Sequence, residues 1–470
     1  MRASKLLLVS QPQRDLSRFV KAYDVRGTVP DQIDEDVARA FGSAFVRVLR
    51  TEGVVDEIVV AHDMRPSSPA LARAFADGAA ADGVHVVMAG LGSTDMAYFA
   101  AGSLNVPGAM FTASHNPAQY NGIKMCRAAA LPIGLESGLA AIRDEAQAIL
   151  DGRAALGAAA GTVQDRDLLS AYSEYLHRLV DLSGVRPMKV VVDAGNGMAG
   201  YTVPAVLGAG SPVAGRLEIV PLYFELDGTF PNHEANPLDP ANLVDLQKAV
   251  VEHGGDIGLA FDGDADRCFV IDESGDPVSP SAITALVASR ELAKHPGATI
   301  IHNLITSSAV PEIIAERGGQ PVRTRVGHSY IKGEMARTGA VFGGEHSAHY
   351  YFKEFWGADT GMLAAMHVLA ALGSQDRPLS EFAREFERYV ASGEINSEVA
   401  DTAAKIAEVA AALPGVQTDR LDGLTVRFDD GAWLNLRPSN TEPLLRLNVE
   451  GPTAARMEEV RDAALAIIRG

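Results

Sequence analysis

The sequence predicts an α/β protein of four domains, three built alike and a C-terminal one of a different kind. Three observations carry this. The chain has 470 residues, too many for a single hydrophobic core. From Ile58 onward, short β-branched runs alternate with longer alanine-rich helical stretches, and this rhythm restarts twice. Near the C-terminus it stops, and three strand-like runs crowd together.

In the first round IVVAHD leads to SSPALARAFADGAAADG, then VHVVMAG, a second helical stretch and PGAMF. The runs are apolar throughout, as expected of strands buried on both faces. DGRAALGAAAGTV (Asp151–Val163) loses periodicity and marks a boundary, giving a first α/β domain over 1–160. MKVVVDAGNGMAG to DIGLAFDGDADRCFVID forms a second over 161–276. After the turn-rich DESGDPVSP, the runs ATIIHN, PVRTRV and AVFGGEHS make a third over 277–385, closing near GSQDRPLS. In 386–470 TVRFDD, AWLNLR and LLRLNVE are closely spaced and flanked by helices, which predicts an antiparallel α+β domain.

Apolar content of 47% and charged content of 21% are ordinary for a soluble globular protein. The net charge of −19 argues against nucleic-acid or anionic-membrane partners, so a small-anion site must build its own positive potential. Cys126 and Cys268 lie far apart without a CxxC, which fits neither a disulfide framework nor a zinc site and suits a reducing cytoplasm. KLLLV is too short for a signal-peptide core, and no apolar run approaches the roughly 18 residues of a membrane span.

Four loops carry chemistry. In FTASHNPAQYNGIKM, Ser114 follows an apolar run, with His115 and Lys124 nearby. That suits a nucleophile or phosphate carrier, although serine, asparagine and proline also make ordinary turns. In FDGDADRCFV, Asp262, Asp264 and Asp266 converge on one side if the strand end stays extended. Three crowded carboxylates call for a hard cation, Mg²⁺ or Ca²⁺. A calcium EF-hand is excluded, because Arg267 stands where that loop needs glycine and the flanks read as strands. Mg²⁺ normally takes further oxygens from a substrate or phosphate, and a phosphate on Ser114 would supply one. In GGEHSAH, Glu345 and Ser347 share a side if the segment is extended, which suits a sugar diol; taken alone, the motif reads more simply as a structural turn. In RPSNTEP, Arg437 with Ser439, Asn440 and Thr441 offers a guanidinium and short donors for a phosphate, or a plain hairpin turn.

Together the motifs YDVRG, TASHNP, DGDADR, VGHSYIK, GEHSAH and RPSNTEP, in that order along nearly the whole chain, resemble the α-D-phosphohexomutase superfamily and, within it, the phosphomannomutase/phosphoglucomutase group. The resemblance implies four domains around a central cleft, each giving one motif loop. It implies that Ser114 is a phosphoserine and that Asp262, Asp264 and Asp266, with Ser114, bind one Mg²⁺. Arg26, His115, Lys124, Arg267 and His328 would line the transfer site. Tyr23, Glu345, Ser347 and Trp356 would meet the sugar, and Arg437, Ser439, Asn440 and Thr441 the phosphate not being transferred. The implied reaction interconverts hexose 6-phosphate and hexose 1-phosphate, of mannose and also glucose. It runs through a hexose 1,6-bisphosphate that also serves as activator, in a cytoplasmic monomer or weak dimer. A phosphoglucosamine mutase ranks lower, since that group more often carries Gln in the sugar loop; a metal-dependent phosphatase and a non-catalytic sugar-phosphate sensor are the other readings. The chain departs from the pattern at His346 and Ala348, at Leu304 in HNLITSS, and in VAHDMRPSS. The departures in the sugar loop and in HNLITSS leave the mechanism standing but blur the substrate and the general base.

Overall fold

The computed structural model describes residues 14–439 and 444–470. The chain folds as two compact units. One holds the described residues up to Tyr172 together with Gly195–Thr202 and Tyr223–Asn236; the other holds Ser173–Ala194, Val203–Leu222 and Pro237–Gly470. Among the described residues the strands form four sheets, one of six strands and three of five.

In the first unit the apolar run at Ile58 becomes the strand Glu57–His62, parallel to both neighbours, Gly108–Phe111 and His85–Leu91. Its central residues are buried on both faces, which explains the unbroken apolar run. The helices Glu35–Arg50 and Ser68–Ala81 pack together closely. A Cβ on Gly42 would stand 2.0 Å from the Phe75 carbonyl oxygen, so only glycine allows the approach. The sheet continues antiparallel through Tyr120–Cys126 to Val25–Thr28, with Arg26 opposite Gly122. At its other edge the short strand Thr162–Asp165 pairs in parallel with His85–Met88.

A buried arginine organises the loop between Gly108–Phe111 and Tyr120–Cys126. Arg65 is fully buried and donates to four backbone carbonyls: Pro117 and Tyr120, each at 2.9 Å, Ser114 at 2.8 Å and Asn116 at 2.6 Å. Asp63, also fully buried, accompanies its Nε at 3.3 Å and fixes the arginine's own turn by accepting from the Arg65 backbone N–H. The Phe230 ring lies over the guanidinium, 5.2 Å away.

The second unit carries the other three sheets. Met188–Asp193 is flanked in parallel by Leu217–Leu222 and Ile257–Phe261, and Ile257–Phe261 turns back antiparallel as Cys268–Ile271. Thr299–Asn303 is parallel to Gln320–Thr324 and to Phe342–Gly344, which turns back as Tyr350–Phe352. The last sheet is antiparallel throughout, in the order Val390–Glu398, Leu444–Gly451, Trp433–Pro438, Leu424–Arg427, Gln417–Asp419. The helices Thr402–Ala412 and Ala454–Arg469 cover its apolar side through Val409, Val460 and Ala464. The predicted three mixed α/β sheets and unlike C-terminal α+β sheet are all present. Cys126 and Cys268 are both buried free thiols.

Removing the guanidinium of Arg65 strands four carbonyl groups and one buried carboxylate. Breaking a buried charge pair costs about 3–5 kcal/mol. Arg65→Met should therefore lower the unfolding free energy by that order, read as a lower urea midpoint, and expose the 112–119 loop to limited proteolysis. An unchanged midpoint and protected loop would contradict this role.

Candidate functional site

Ser114 sits where the strand Gly108–Phe111 empties into its loop. It is 6% exposed, and its backbone is left-handed, at φ 49°. A serine holds that conformation at a cost on the order of 1 kcal/mol, so its surroundings must enforce it. They do: Arg65 takes its carbonyl, and its N–H donates to Thr112 Oγ1 at 2.9 Å. The hydroxyl lies 3.3 Å from His115 Nδ1. Arg26 reaches this loop from the neighbouring strand, donating to Asn116 Oδ1 at 2.7 Å while paired with Asp24 at 2.5 Å. Lys124 stands half-buried on the return strand opposite Met110, and Tyr23 half-buried just ahead of Val25–Thr28. Sequence reading missed Arg65 and Asn116. Nothing in the spacing of MRPSS and SHNP points to these contacts, which are made between segments distant in the chain.

The three aspartates converge, but not through an extended strand. A tight turn joins Phe261 to Cys268, with Ala265 left-handed at φ 60° and its N–H bonded to the Asp262 carbonyl at 3.0 Å. The turn brings oxygens of Asp262, Asp264 and Asp266 within 4.8 Å of one another, with the side chains at most 2% exposed. Arg267 is buried beside them, its Nε 2.9 Å from Asp262 Oδ2. Burial raises the Asp262 carboxyl; Arg267 opposes this, Asp266 and Asp264 add to it, and the pKa comes to about 7. Carboxylates gathered out of water at this cost fit a hard divalent cation of the Mg²⁺ type. The start of the helix Gly361–Gly373 presses on this turn: a Cβ on Gly361 would lie 2.7 Å from the Arg267 carbonyl.

The GEHSAH segment is likewise a turn rather than an extended run, closed by the Ala348 N–H on the Glu345 carbonyl at 3.1 Å, with Ala348 at φ 63°. Glu345 points inward at 2% exposure and accepts from Tyr351 Oη at 2.6 Å, Asn303 Nδ2 at 3.2 Å and the Gly327 N–H at 3.2 Å. Ser347 stays half-buried in the turn, and His328 opens the helix His328–Thr338 beside Gly327. Trp356 stacks on Tyr175, with centroids 5.0 Å apart. In HNLITSS, burial depresses His302 to about 4, so this imidazole is neutral near pH 7.

His349, the last residue of GEHSAH, was not singled out from sequence. Its Nδ1 stands 2.9 Å from Asp359 and 3.9 Å from Asp266, and residue 349 bridges Arg267 across the backbone. Burial works against its charge, but Asp266 and Asp359 prevail and raise its pKa. Asp359 is buried too, yet Lys332 at 2.8 Å and His349 hold it well below the carboxylate range. An ionic chain thus ties the acidic turn to the sugar-motif turn.

On the last sheet Arg437 is 5% exposed, donating to Asn448 Oδ1 at 2.7 Å and to Glu394. Arg446, opposite it in register, donates to Ser439 Oγ at 3.3 Å and has a side chain 32% exposed. Sequence reading missed Arg446, which lies beyond the motif in LLRLNVE. Asn440 and Thr441 fall outside the described residues.

Filling the aspartate site should stabilise the fold by mass action. Mg²⁺ should raise the melting temperature at pH 8. The rise should shrink as pH falls through about 7, where protons compete for Asp262, and Asp264→Asn should abolish it. A melting temperature indifferent to Mg²⁺ at pH 8 would contradict the assignment.

Four family models match the chain in succession: the phosphoglucomutase/phosphomannomutase α/β/α domain I at residues 17–152, domain II at 170–275, domain III at 279–389 and the C-terminal domain at 394–467. The chain is 41% identical over 456 residues to a protein of Xanthomonas campestris described as phosphohexose mutases, covering 96% of this chain and 99% of that one. It is 40% identical over 445 residues to a phosphomannomutase of Salmonella montevideo, covering 94% and 96%. A solved phosphoglucomutase/phosphomannomutase family protein from Burkholderia thailandensis superposes with a TM-score of 0.85 at 32% identity, over 96% of this chain and 97% of that one. The acidic turn accords with the magnesium dependence of the family. The chain belongs to the phosphoglucomutase/phosphomannomutase family and is a hexose-phosphate mutase, of a family that works through a phosphoserine.

Proposed function

We propose that the enzyme interconverts the 6- and 1-phosphates of mannose, accepts glucose phosphates as well, and uses Ser114 as the phosphoryl carrier. One observation carries the serine assignment. Ser114 is a non-glycine residue held in a left-handed conformation at a strand end, by an arginine whose two terminal nitrogens both donate to carbonyls of that loop. Mannose is favoured by the phosphomannomutases among the relatives at about 40% identity over nearly the full length. We place the first domain joint just beyond the edge strand Thr162–Asp165, a few residues past the expected 160, the others near 276 and 385, and the protein in the cytoplasm as a monomer or weak dimer. Among the described residues no helix is long and apolar enough to cross a membrane.

The residues divide the work. On the first unit, Ser114 Oγ carries the phosphoryl group. Arg26 and Lys124 supply positive charge to it, and His115 lies beside the hydroxyl. On the second, Asp262, Asp264 and Asp266 would hold Mg²⁺, which when bound neutralises developing negative charge on the phosphoryl oxygens. Arg267 fixes Asp262 and adds a second positive charge. Glu345, anchored by Tyr351 and Asn303, and Ser347 orient sugar hydroxyls, with His328 and Trp356 on the sugar side by family resemblance. Arg437, Arg446 and Ser439 hold the distal phosphate, with Asn440 and Thr441 completing that loop. In the first half-reaction the Ser114 Oγ–P bond breaks as a bond from a sugar hydroxyl oxygen to phosphorus forms, and that hydroxyl's proton ends on Ser114 Oγ. In the second the other sugar O–P bond breaks as Ser114 Oγ bonds phosphorus, and the serine's proton ends on the freed sugar oxygen. The bisphosphate then turns and returns its other phosphoryl group to Ser114. The cationic pair Arg437 and Arg446 favours a mutase over a phosphatase, which needs no second phosphate site.

The test strips the phosphate enzymatically and compares initial rates with mannose, glucose and glucosamine 1-phosphates at equal concentration, with and without glucose 1,6-bisphosphate. The bisphosphate should restore isomerisation, fastest with mannose 1-phosphate. Ser114→Ala should lose roughly 10³ or more in rate. Steady release of inorganic phosphate without isomerised sugar would mean that water is the acceptor, and the mutase reading would fall.

A further inference from the structure

The two arginines assigned to the distal phosphate already share an anion. Glu394 lies on the strand Val390–Glu398, opposite Asn448. One of its carboxylate oxygens accepts from Arg437 Nη2, and the other accepts from Arg446 Nη1 at 3.2 Å. The carboxylate spans both guanidinium groups as a bidentate anion does. Asn448 and Asn435 complete the hold on Arg437, with Nη1 at 2.7 and 3.3 Å from their Oδ1 atoms. The Glu394 side chain is 27% exposed and Arg446 is 32% exposed, so this edge of the site is open to solvent while Arg437 is buried.

The charge count has a consequence for turnover. Two arginines offer two positive charges, and Glu394 cancels one. A site carrying both charges unopposed would hold a phosphate dianion tightly, yet the reaction requires the distal phosphate to let go while the intermediate turns. We propose that Glu394 is a built-in counter-anion of the distal phosphate site: it competes with phosphate for Arg437 and Arg446 and keeps the affinity low enough for the bisphosphate to reorient. This inference rests on the phosphate-holding role proposed above for Arg437 and Arg446, and extends it by assigning Glu394 the task of tuning release.

Glu394→Gln keeps the shape and one acceptor while removing the charge, and Glu394→Asp keeps the charge. Inorganic phosphate, with chelator present, is the probe, read by calorimetric titration at low ionic strength. Removing a negative charge a few ångströms from a bound anion should tighten its binding roughly tenfold or more. Glu394→Gln should therefore lower the phosphate Kd by about that factor, while Glu394→Asp stays near wild type. In turnover, Glu394→Gln should lower KM and kcat together, since a tightly held phosphate slows reorientation. Melting temperatures close to wild type verify that each variant is folded. Unchanged or weaker phosphate binding in Glu394→Gln would overturn the proposal, because a residue that only positions the arginines loosens the site when altered. Arg437→Lys and Arg446→Gln separate the two levels. If both leave the phosphate Kd unchanged, the distal-phosphate reading itself fails. If they weaken binding while Glu394→Gln does not tighten it, only the counter-anion role fails.

Discussion

Burying an arginine with its aspartate at the end of a sheet strand is the interaction on which both chemical loops depend. Arg65 with Asp63 does this in the first unit, and Arg267 with Asp262 in the second; none of the four side chains is more than 3% exposed. Such pairs contribute little net stability, since desolvation offsets their attraction. Their contribution is geometric. A guanidinium presents its donors in a fixed fork and tolerates no slack in its acceptors. Arg65 therefore dictates where four carbonyls of the serine loop go, and Arg267 fixes the Asp262 carboxylate by side chain and backbone N–H together. Each loop contains a non-glycine residue in left-handed conformation, Ser114 in one and Ala265 in the other, which such over-determined surroundings sustain.

The chain's overall acidity gives the rest of the site its logic. With a net charge of −19, positive potential has to be concentrated rather than general. On the last sheet Arg437 and Arg446 face each other in register, a pairing that repulsion would disfavour without Glu394 between them. In the acidic turn the balance is reversed: three carboxylates gather around one arginine and leave room for a cation. Lys332, Asp359, His349 and Asp266 form a chain of alternating charge that holds the sugar-motif turn to the acidic turn.

Much of this was legible in the sequence where the signal is local. The apolar runs at Ile58, Val190 and Ile300 are strands because parallel strands covered on both faces need such runs, and the crowded C-terminal runs pair antiparallel. The three carboxylates of DGDADR converge as expected but by another geometry: an extended strand was expected, and a turn with Ala265 left-handed brings them together. GEHSAH failed in the same way, and Glu345 turns inward to Tyr351 and Asn303 instead of standing beside Ser347. Thr162–Asp165 was not recognised as a strand, because TVQD lies at a sheet edge and carries almost no apolar pattern. Arg65, His349 and Arg446 escaped notice for a common reason. Each acts on partners brought near by the sheets, and motif spacing carries no information about such contacts.

The central claim is that Ser114 hands its own phosphoryl group to the sugar. The most direct measurement is a single-turnover experiment with enzyme labelled at the phosphoserine, located by peptide mapping and mixed with unlabelled hexose monophosphate. The account predicts label on the peptide containing Ser114 before mixing and label in hexose 1,6-bisphosphate and hexose monophosphate afterwards. Label that stays on the protein while the sugar isomerises, or that appears only as inorganic phosphate, would contradict it.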